Sequence, residues 1–350
     1  MKQRAATAPR VRLAISMGDP AGIGPEVTLR AIATRAVATQ VEPILVGDPG
    51  VWQDTAERLG LRIALASAGD LASSKHVQLT ITSQLTTSYR QPGMPRTPTR
   101  AAACGEAAYA AILGAVRLVQ TGRAQGLVTA PISKAHLCAA GHDFPGHTEL
   151  LAELSGGGPV RMMMVGSRLR VVLVTTHLKL ADVPHRLTCD NVQQTIELTA
   201  HALRQQFGIR TPHLAVCGLN PHAGEQGLFG DEETRIIAPA IEAAQRRRIK
   251  VSGPLAADSV FAPAAAGRYD AVVCMYHDQG LAPFKLLHFA DGVNFTLGLP
   301  FVRTSPDHGT AFDIAGRGRA DPCSMVAALQ LAAQTARGAR LVKPRPSTVR

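Results

Sequence analysis

Three of the twelve histidines share a context that the others, His147 partly excepted, do not. His177 ends "RVVLVTTH", His222 ends "HLAVCGLNPH" and His277 ends "AVVCMYH". Each follows an apolar, β-branched run that reads as a strand, and so stands at or just past a strand's C-terminal end. In an open α/β sheet that edge is where ligands bind. The wide separations along the chain exclude a local zinc-finger loop. Imidazole is the usual nitrogen ligand of a divalent metal, and three protein ligands leave positions open for a substrate. A single strand-end histidine carries little weight; the repeated context makes the three a candidate metal triad.

A second group of residues suits an anion. In "FPGHTE" a turn presents His147 and Thr148 ahead of a helix, where backbone N–H groups and a hydroxyl favour a phosphate or carboxylate. Thr148 also fits a plain helix cap. The stretch from Tyr276 to Arg303 holds Lys285, Asn294 and Arg303 as single polar residues in apolar surroundings. A cation so placed needs an anionic partner or a route to solvent. Lys285 and Arg303 converging with His147 and Thr148 would bind a phosphorylated acid.

The elements that position these residues alternate. "RLAIS", "EPILVG", "VQLTIT", "GLVTA", "RVVLVTT", "HLAVCGL" and "DAVVCMY" are continuous enough to be strands covered on both faces. Helical patterns lie between them over 99–119, 191–207 and 232–247. The expected class is α/β with a largely parallel sheet. "SYRQPGMPRTPTR" and "ELSGGGPVR" read as exposed connections. In "GDPAGIGPE", Gly22 and Gly24 begin a G-x-G, but Val27 stands where a dinucleotide loop needs its third glycine. Asp19 would repel a pyrophosphate there, and Pro25 suits a first helical position. The stretch reads as a tight strand-to-helix turn.

At 350 residues and 46% hydrophobic, the chain can bury a large core. The formal charge of +11 is spread along the sequence, with one cluster at Arg246, Arg247 and Arg248 closing a helix. With one tryptophan and four tyrosines to stack on bases, this points away from nucleic acid. The six cysteines form no CxxC pair, which suits reduced thiols in the cytoplasm, with Cys217 and Cys274 as core. No uninterrupted apolar stretch approaches a membrane span, and residues 1–10 read as a loose basic tail.

"MGDPAGIGPE", "TAPISKA", "PGHTE", "TTHLKL", "GLNPHAGE", "YHDQGLAPFK" and "GVNFTLGLPFVRTSPDHGTAFDIAG" resemble, in order, the motifs of the 4-hydroxythreonine-4-phosphate dehydrogenase family. The resemblance runs from about Arg12 to Ala333. It implies oxidation of 4-phosphooxy-L-threonine with NAD, or NADP in its place, in pyridoxine 5′-phosphate (vitamin B6) synthesis. The product, 2-amino-3-oxo-4-phosphooxybutanoate, decarboxylates to 3-amino-2-oxopropyl phosphate. The implied fold is that of the isocitrate and isopropylmalate dehydrogenases: two α/β/α domains with a cleft between them. Residues 1–142 with 290–350 would form the NAD side, and 143–289 the metal and dimer side. The family is homodimeric, with an active site shared between subunits.

His177, His222 and His277 fall on the family's metal ligands, for zinc, magnesium or cobalt. His147, Thr148, Lys285, Asn294 and Arg303 fall on its substrate-binding positions. NAD is expected along the loops from Gly292 to Gly316. Asp258 and Asp278 are candidates to orient or supplement the metal shell, and Lys134 to carry a proton or touch phosphate. The departures are Ser133, where asparagine is frequent, and Lys179, where proline is common; neither touches a carried-over ligand. Relatives acting on phosphorylated threonate or erythronate, or on a cis-dihydrodiol dicarboxylate, share the same machinery. A phosphate-acyltransferase-like enzyme would not need the histidines.

Overall fold

The computed structural model describes residues 9–63, 65–67, 77–144 and 146–338, so most of the basic tail lies outside the described residues. The strands, in chain order, are β1 Val11–Ser16, β2 Val41–Gly47, β3 Leu65–Ser67, β4 Val77–Ile81, β5 Gly126–Thr129, β6 Arg161–Val165, β7 Arg170–Leu173, β8 His213–Cys217, β9 Lys250–Leu255, β10 Ala271–Cys274, β11 Val293–Leu297 and β12 Val302–Pro306. Two units share them. The first runs to Leu154 and resumes at Pro300; the second is Ser155–Leu299. The change-overs were expected at 142/143 and 289/290. The observed ones put the helix His147–Leu154 in the first unit and β11 in the second.

In the first unit the strand order is β3-β4-β2-β1-β5-β12, every neighbouring pair parallel. A sheet of this kind needs cover on its faces, and β1 supplies the apolar surface with Leu13, Ala14 and Ile15 fully buried. The helix Pro98–Gln120 packs on β1, β2 and β5. Its residues Ala107, Ala111 and Ala115, spaced one turn apart, are buried. By length and composition this helix could span a membrane, but here its apolar side covers the sheet. At its start Thr97 caps the backbone N–H of Arg100, with Pro98 in the first turn.

The "GDPAGIGPE" turn forms as expected between β1 and the helix Gly24–Ile32, with Pro25 in that helix's first turn. Gly18 has φ +73°, and a Cβ there would lie 2.4 Å from the Pro131 carbonyl oxygen. Asp19 is fully buried. It accepts the Ala21 N–H at 2.9 Å, and its other oxygen meets His136 Nδ1 at 2.6 Å. The glycine thus serves close backbone approach, and the aspartate ties the turn to the helix Lys134–Ala139.

In the second unit the order is β11-β6-β7-β10-β8-β9. β7, β10, β8 and β9 are parallel, while β6 runs antiparallel to both neighbours. Alternation along the strands sorts the core. Leu214, Val216, Ala271 and Val273 face the helices Cys189–Gln205 and Ala238–Arg246. Ala215, Cys217, Val272 and Cys274 face the helices Ala257–Ala265 and His277–His288. Cys217 and Cys274 are core residues, and all six cysteines are free thiols.

The helix expected over 232–247 is divided into a π turn, Glu233–Ile237, and an α-helix, Ala238–Arg246. Its basic end is solvated and paired, Arg247 with Glu197 at 2.7 Å and Arg246 with Glu242 at 3.9 Å. β3, β6, β9, β11 and β12 add to the strands read from the sequence.

Candidate active site

The three strand-end histidines all belong to the second unit. They follow β7, β8 and β10, which are neighbours and parallel, so their segments leave the sheet at one edge. His177 and His277 lie close, with ring centroids 5.7 Å apart. His277 opens the helix His277–His288, and its Nδ1 meets Asp278 Oδ1 at 2.7 Å. His222 Nδ1 meets Glu225 Oε2 at 3.0 Å, and its ring stands edge-on to Phe229. A carboxylate on Nδ1 fixes the tautomer in which Nε2 keeps its lone pair, as metal-binding histidines require. The donor set therefore fits a divalent cation. Among the described residues, no three His, Cys, Asp or Glu side chains already close to ligating distance.

His222 stands in an unusual backbone. From His222 to Gln226, φ runs +51°, +54°, +83°, +42° and +59°, a left-handed turn. Only Gly224 adopts it freely; each other residue costs about 1–2 kcal/mol there. The segment is braced. The buried Glu233 accepts the N–H groups of Leu219 and Asn220 through Oε1 at 2.7 and 2.8 Å, and Asn220 Nδ2 through Oε2 at 3.1 Å. Gln279, also buried, accepts the Met275 N–H and donates to the Gly218 carbonyl, both at 2.7 Å. Sequence reasoning missed both residues. Glu233 stands among the acidic residues that open the helical pattern over 232–247, and nothing local marks it as buried.

Asp258 is exposed in the first turn of the helix Ala257–Ala265, which packs against the His222 segment. Asp278 is also exposed. Lys285 places Nζ over the Phe289 ring at 5.6 Å. Asn294, on β11, has its Oδ1 buried with no hydrogen-bond partner among the described residues.

His147, Thr148, Arg303 and Lys134 lie in the first unit. Arg303 is 1% exposed, and its Nε and Nη2 donate to Thr129 Oγ1 at 3.2 and 2.6 Å. Burial pushes the guanidinium down to about 9, with Glu149 opposing. His147 opens the helix His147–Leu154, and its Nε2 is buried with no partner among the described residues. Burial, and then the Arg303 charge, hold its pKa well below the ordinary imidazole value. A desolvated cation beside a neutral imidazole and a helix start is a setting that an anion improves. Lys134 is exposed just after the Ser133 cap, with its stem passing Gly146.

The expected cofactor loops from Gly292 to Gly316 cross the change-over at 299/300. On the first-unit side a pocket is lined by Gly22, Pro25, Arg58, Pro92, Gly316 and Gly318.

Residues 39–332 match the family model described as "Pyridoxal phosphate biosynthetic protein PdxA". The chain is 50% identical over 330 residues to a 4-hydroxythreonine-4-phosphate dehydrogenase of Geobacter metallireducens, covering 93% of this chain and 96% of that one. It is 49% identical over 335 residues to the enzyme of the same name from Desulfosudis oleivorans, with the same two shares covered. Among solved structures, the 4-hydroxythreonine-4-phosphate dehydrogenase of Klebsiella pneumoniae superposes with a TM-score of 0.83 at 39% identity, covering 95% of this chain and 99% of that one. A terephthalate 1,2-cis-dihydrodiol dehydrogenase from Burkholderia xenovorans is more distant, with a TM-score of 0.66 at 29% identity, covering 93% and 98%. The chain belongs to the PdxA family of pyridoxal phosphate biosynthetic proteins.

Proposed function

We propose that this chain is an NAD-dependent 4-hydroxythreonine-4-phosphate dehydrogenase. It oxidises 4-phosphooxy-L-threonine to 2-amino-3-oxo-4-phosphooxybutanoate, which decarboxylates to 3-amino-2-oxopropyl phosphate in pyridoxine 5′-phosphate synthesis. The carrying observation is identity of about half to dehydrogenases of that name over 93% of the chain. The buried Arg303 beside His147 supports a phosphorylated substrate, because phosphate supplies the negative charge a desolvated guanidinium favours.

His177, His222 and His277 are the residues to hold a divalent ion (zinc, magnesium or cobalt), with Glu225 and Asp278 orienting two of the rings. When bound, such an ion acts as a Lewis acid toward a hydroxyl and later toward the charge left by decarboxylation, while NAD (or NADP) accepts the hydride. His147, Thr148 and Arg303 grip the substrate's anionic end. Lys285 and Asn294 orient its remaining polar groups, Asn294 through a buried Oδ1 suited to an N–H donor. Lys134, Asp258 and Asp278 are the candidates to move the proton. The pocket at Gly22, Arg58 and Gly316 supports NAD lying beside the glycine loops. The working enzyme is a cytoplasmic homodimer with an active site drawn from both subunits.

A second reading follows from the 29% identity to a terephthalate cis-dihydrodiol dehydrogenase: a dicarboxylate would replace the phosphate. NAD reduction assayed with 4-phosphooxy-L-threonine, 4-phospho-threonate or erythronate, and a cis-dihydrodiol dicarboxylate separates these. Faster turnover of the substrate lacking phosphate would overturn the proposal.

A further inference from the structure

Glu233 is a carboxyl group 4% exposed in the second unit, and the reaction outlined above gives it no task. Among the described residues its side-chain hydrogen bonds run to the segment that leads into the His222 turn. Oε1 receives the consecutive amides of Leu219 and Asn220, and Oε2 receives the Asn220 side chain. The backbone packs closely against it. A Cβ on Gly218 would lie 2.9 Å from Oε1, and one on Gly224 would lie 2.7 Å from Oε2. Gln279 holds the same segment from the other direction, linking the Gly218 carbonyl to the Met275 amide, two residues before His277. The left-handed turn is thus fixed at its entry by Glu233, in its middle by contact at Gly224, and against the His277 segment by Gln279.

We propose that Glu233 is a positioning residue: it holds the strained turn from His222 to Gln226 so that His222 is presented at the sheet edge it shares with His277. The inference rests on the reading of His222 as a metal ligand. The physical logic is preorganisation. A run of positive φ angles does not persist unless the surroundings over-determine it, and anchored amides together with a glycine pressed on a carboxyl do so. Without the anchor the turn relaxes toward ordinary backbone, and His222 must be re-ordered whenever the ion binds.

Two readouts on the full-length chain test this separately. The first is amide exchange in metal-free protein. Glu233→Ala should accelerate exchange at Leu219, Asn220 and the following turn about tenfold or more. Glu233→Gln, which keeps an oxygen acceptor for both amides, should stay within about threefold of the parent. The second is Co2+ binding by calorimetry with cobalt chloride alone. Glu233→Ala should weaken it about 10–100-fold and Glu233→Gln little, the range seen when a partner that orients a metal ligand is lost.

Ile241→Ala, a core truncation in the helix Ala238–Arg246, should leave both readouts at parental values, separating positioning from general loss of stability. If Glu233→Ala cannot be isolated, Glu233→Asp, one methylene too short to reach all three donors, carries the same expectation. Parental exchange in Glu233→Ala, or in Glu233→Asp where it stands in, overturns the proposal, as does parental Co2+ affinity in that variant while His222→Ala has lost binding. Parental affinity in His222→Ala instead overturns the metal reading, and the exchange result alone then decides what Glu233 holds.

Discussion

Arg303 is the most buried of the proposed substrate residues in the first unit. It sits in β12 beside β5, in register with Leu127, and its head reaches Thr129. Holding a guanidinium down to about 9 means that its charge is disfavoured by burial, so the folded chain should gain from a bound anion. Inorganic phosphate should therefore raise the melting temperature of the parent, and Arg303→Met should abolish that increment while raising KM for a phosphorylated substrate about 100-fold or more. Thermal shift with and without phosphate, and steady-state kinetics, check both. His147 adds a pH signature. Its folded pKa lies below 6.5, so between the two values the unfolded chain binds a proton that the folded chain refuses. Stability then rises with pH through that window and is lost as pH falls below 6.5. His147→Asn should flatten this acid-side decline in a pH series of melting curves; an unchanged slope would remove the burial argument.

At the scale of elements, packing is tight where a candidate residue must be placed. The helix Pro98–Gln120 meets the helix Lys134–Ala139 at Gly105, where a Cβ would lie 1.9 Å from the His136 carbonyl oxygen. Gly105→Ala should cost about 3 kcal/mol or more in denaturant unfolding and displace the helix that carries Lys134. By contrast Thr188 and Asn191 form a reciprocal capping box on the helix Cys189–Gln205, so Thr188→Ala should cost only about 1 kcal/mol.

The elements also explain what the sequence made legible. β1, β2, β5, β7, β8 and β10 are continuous apolar runs, because covered parallel strands have no wet face to write a polar alternation into. Their ends located the histidines. β12 escaped because "VRTSP" is fully buried yet polar, with a buried arginine and hydroxyls where apolar side chains are expected. β6, "RMMMV", followed three glycines that read as a connection, and β9, "KVSGPL", carries a glycine and a proline. Glu233 and Gln279 were hidden for another reason. Apart from the Met275 amide on Gln279, the partners that make these residues matter lie 13–14 and 61 residues away, and no local pattern encodes a distant hydrogen bond.

At the scale of the molecule, the candidate residues are divided. The proposed metal ligands His177, His222 and His277, with Lys285 and Asn294, belong to one unit, and His147, Thr148, Lys134 and Arg303 to the other. On the proposed function neither unit alone carries all the candidate residues, so a chain cut at the change-overs should lose turnover even where both pieces fold. Sedimentation of the intact chain should give twice its mass of 36.9 kDa, as the proposed homodimer requires. The central claim, a metal-assisted, NAD-dependent oxidation of a phosphorylated hydroxy-amino acid, has a direct test. NADH formation is followed with 4-phosphooxy-L-threonine in the parent, with and without chelator, and in His222→Ala. The expected result is turnover in the parent, lost with chelator, restored by added Zn2+, Co2+ or Mg2+, and absent in the variant. Turnover that survives both chelator and the loss of His222, or no turnover of this substrate under any metal, would contradict it.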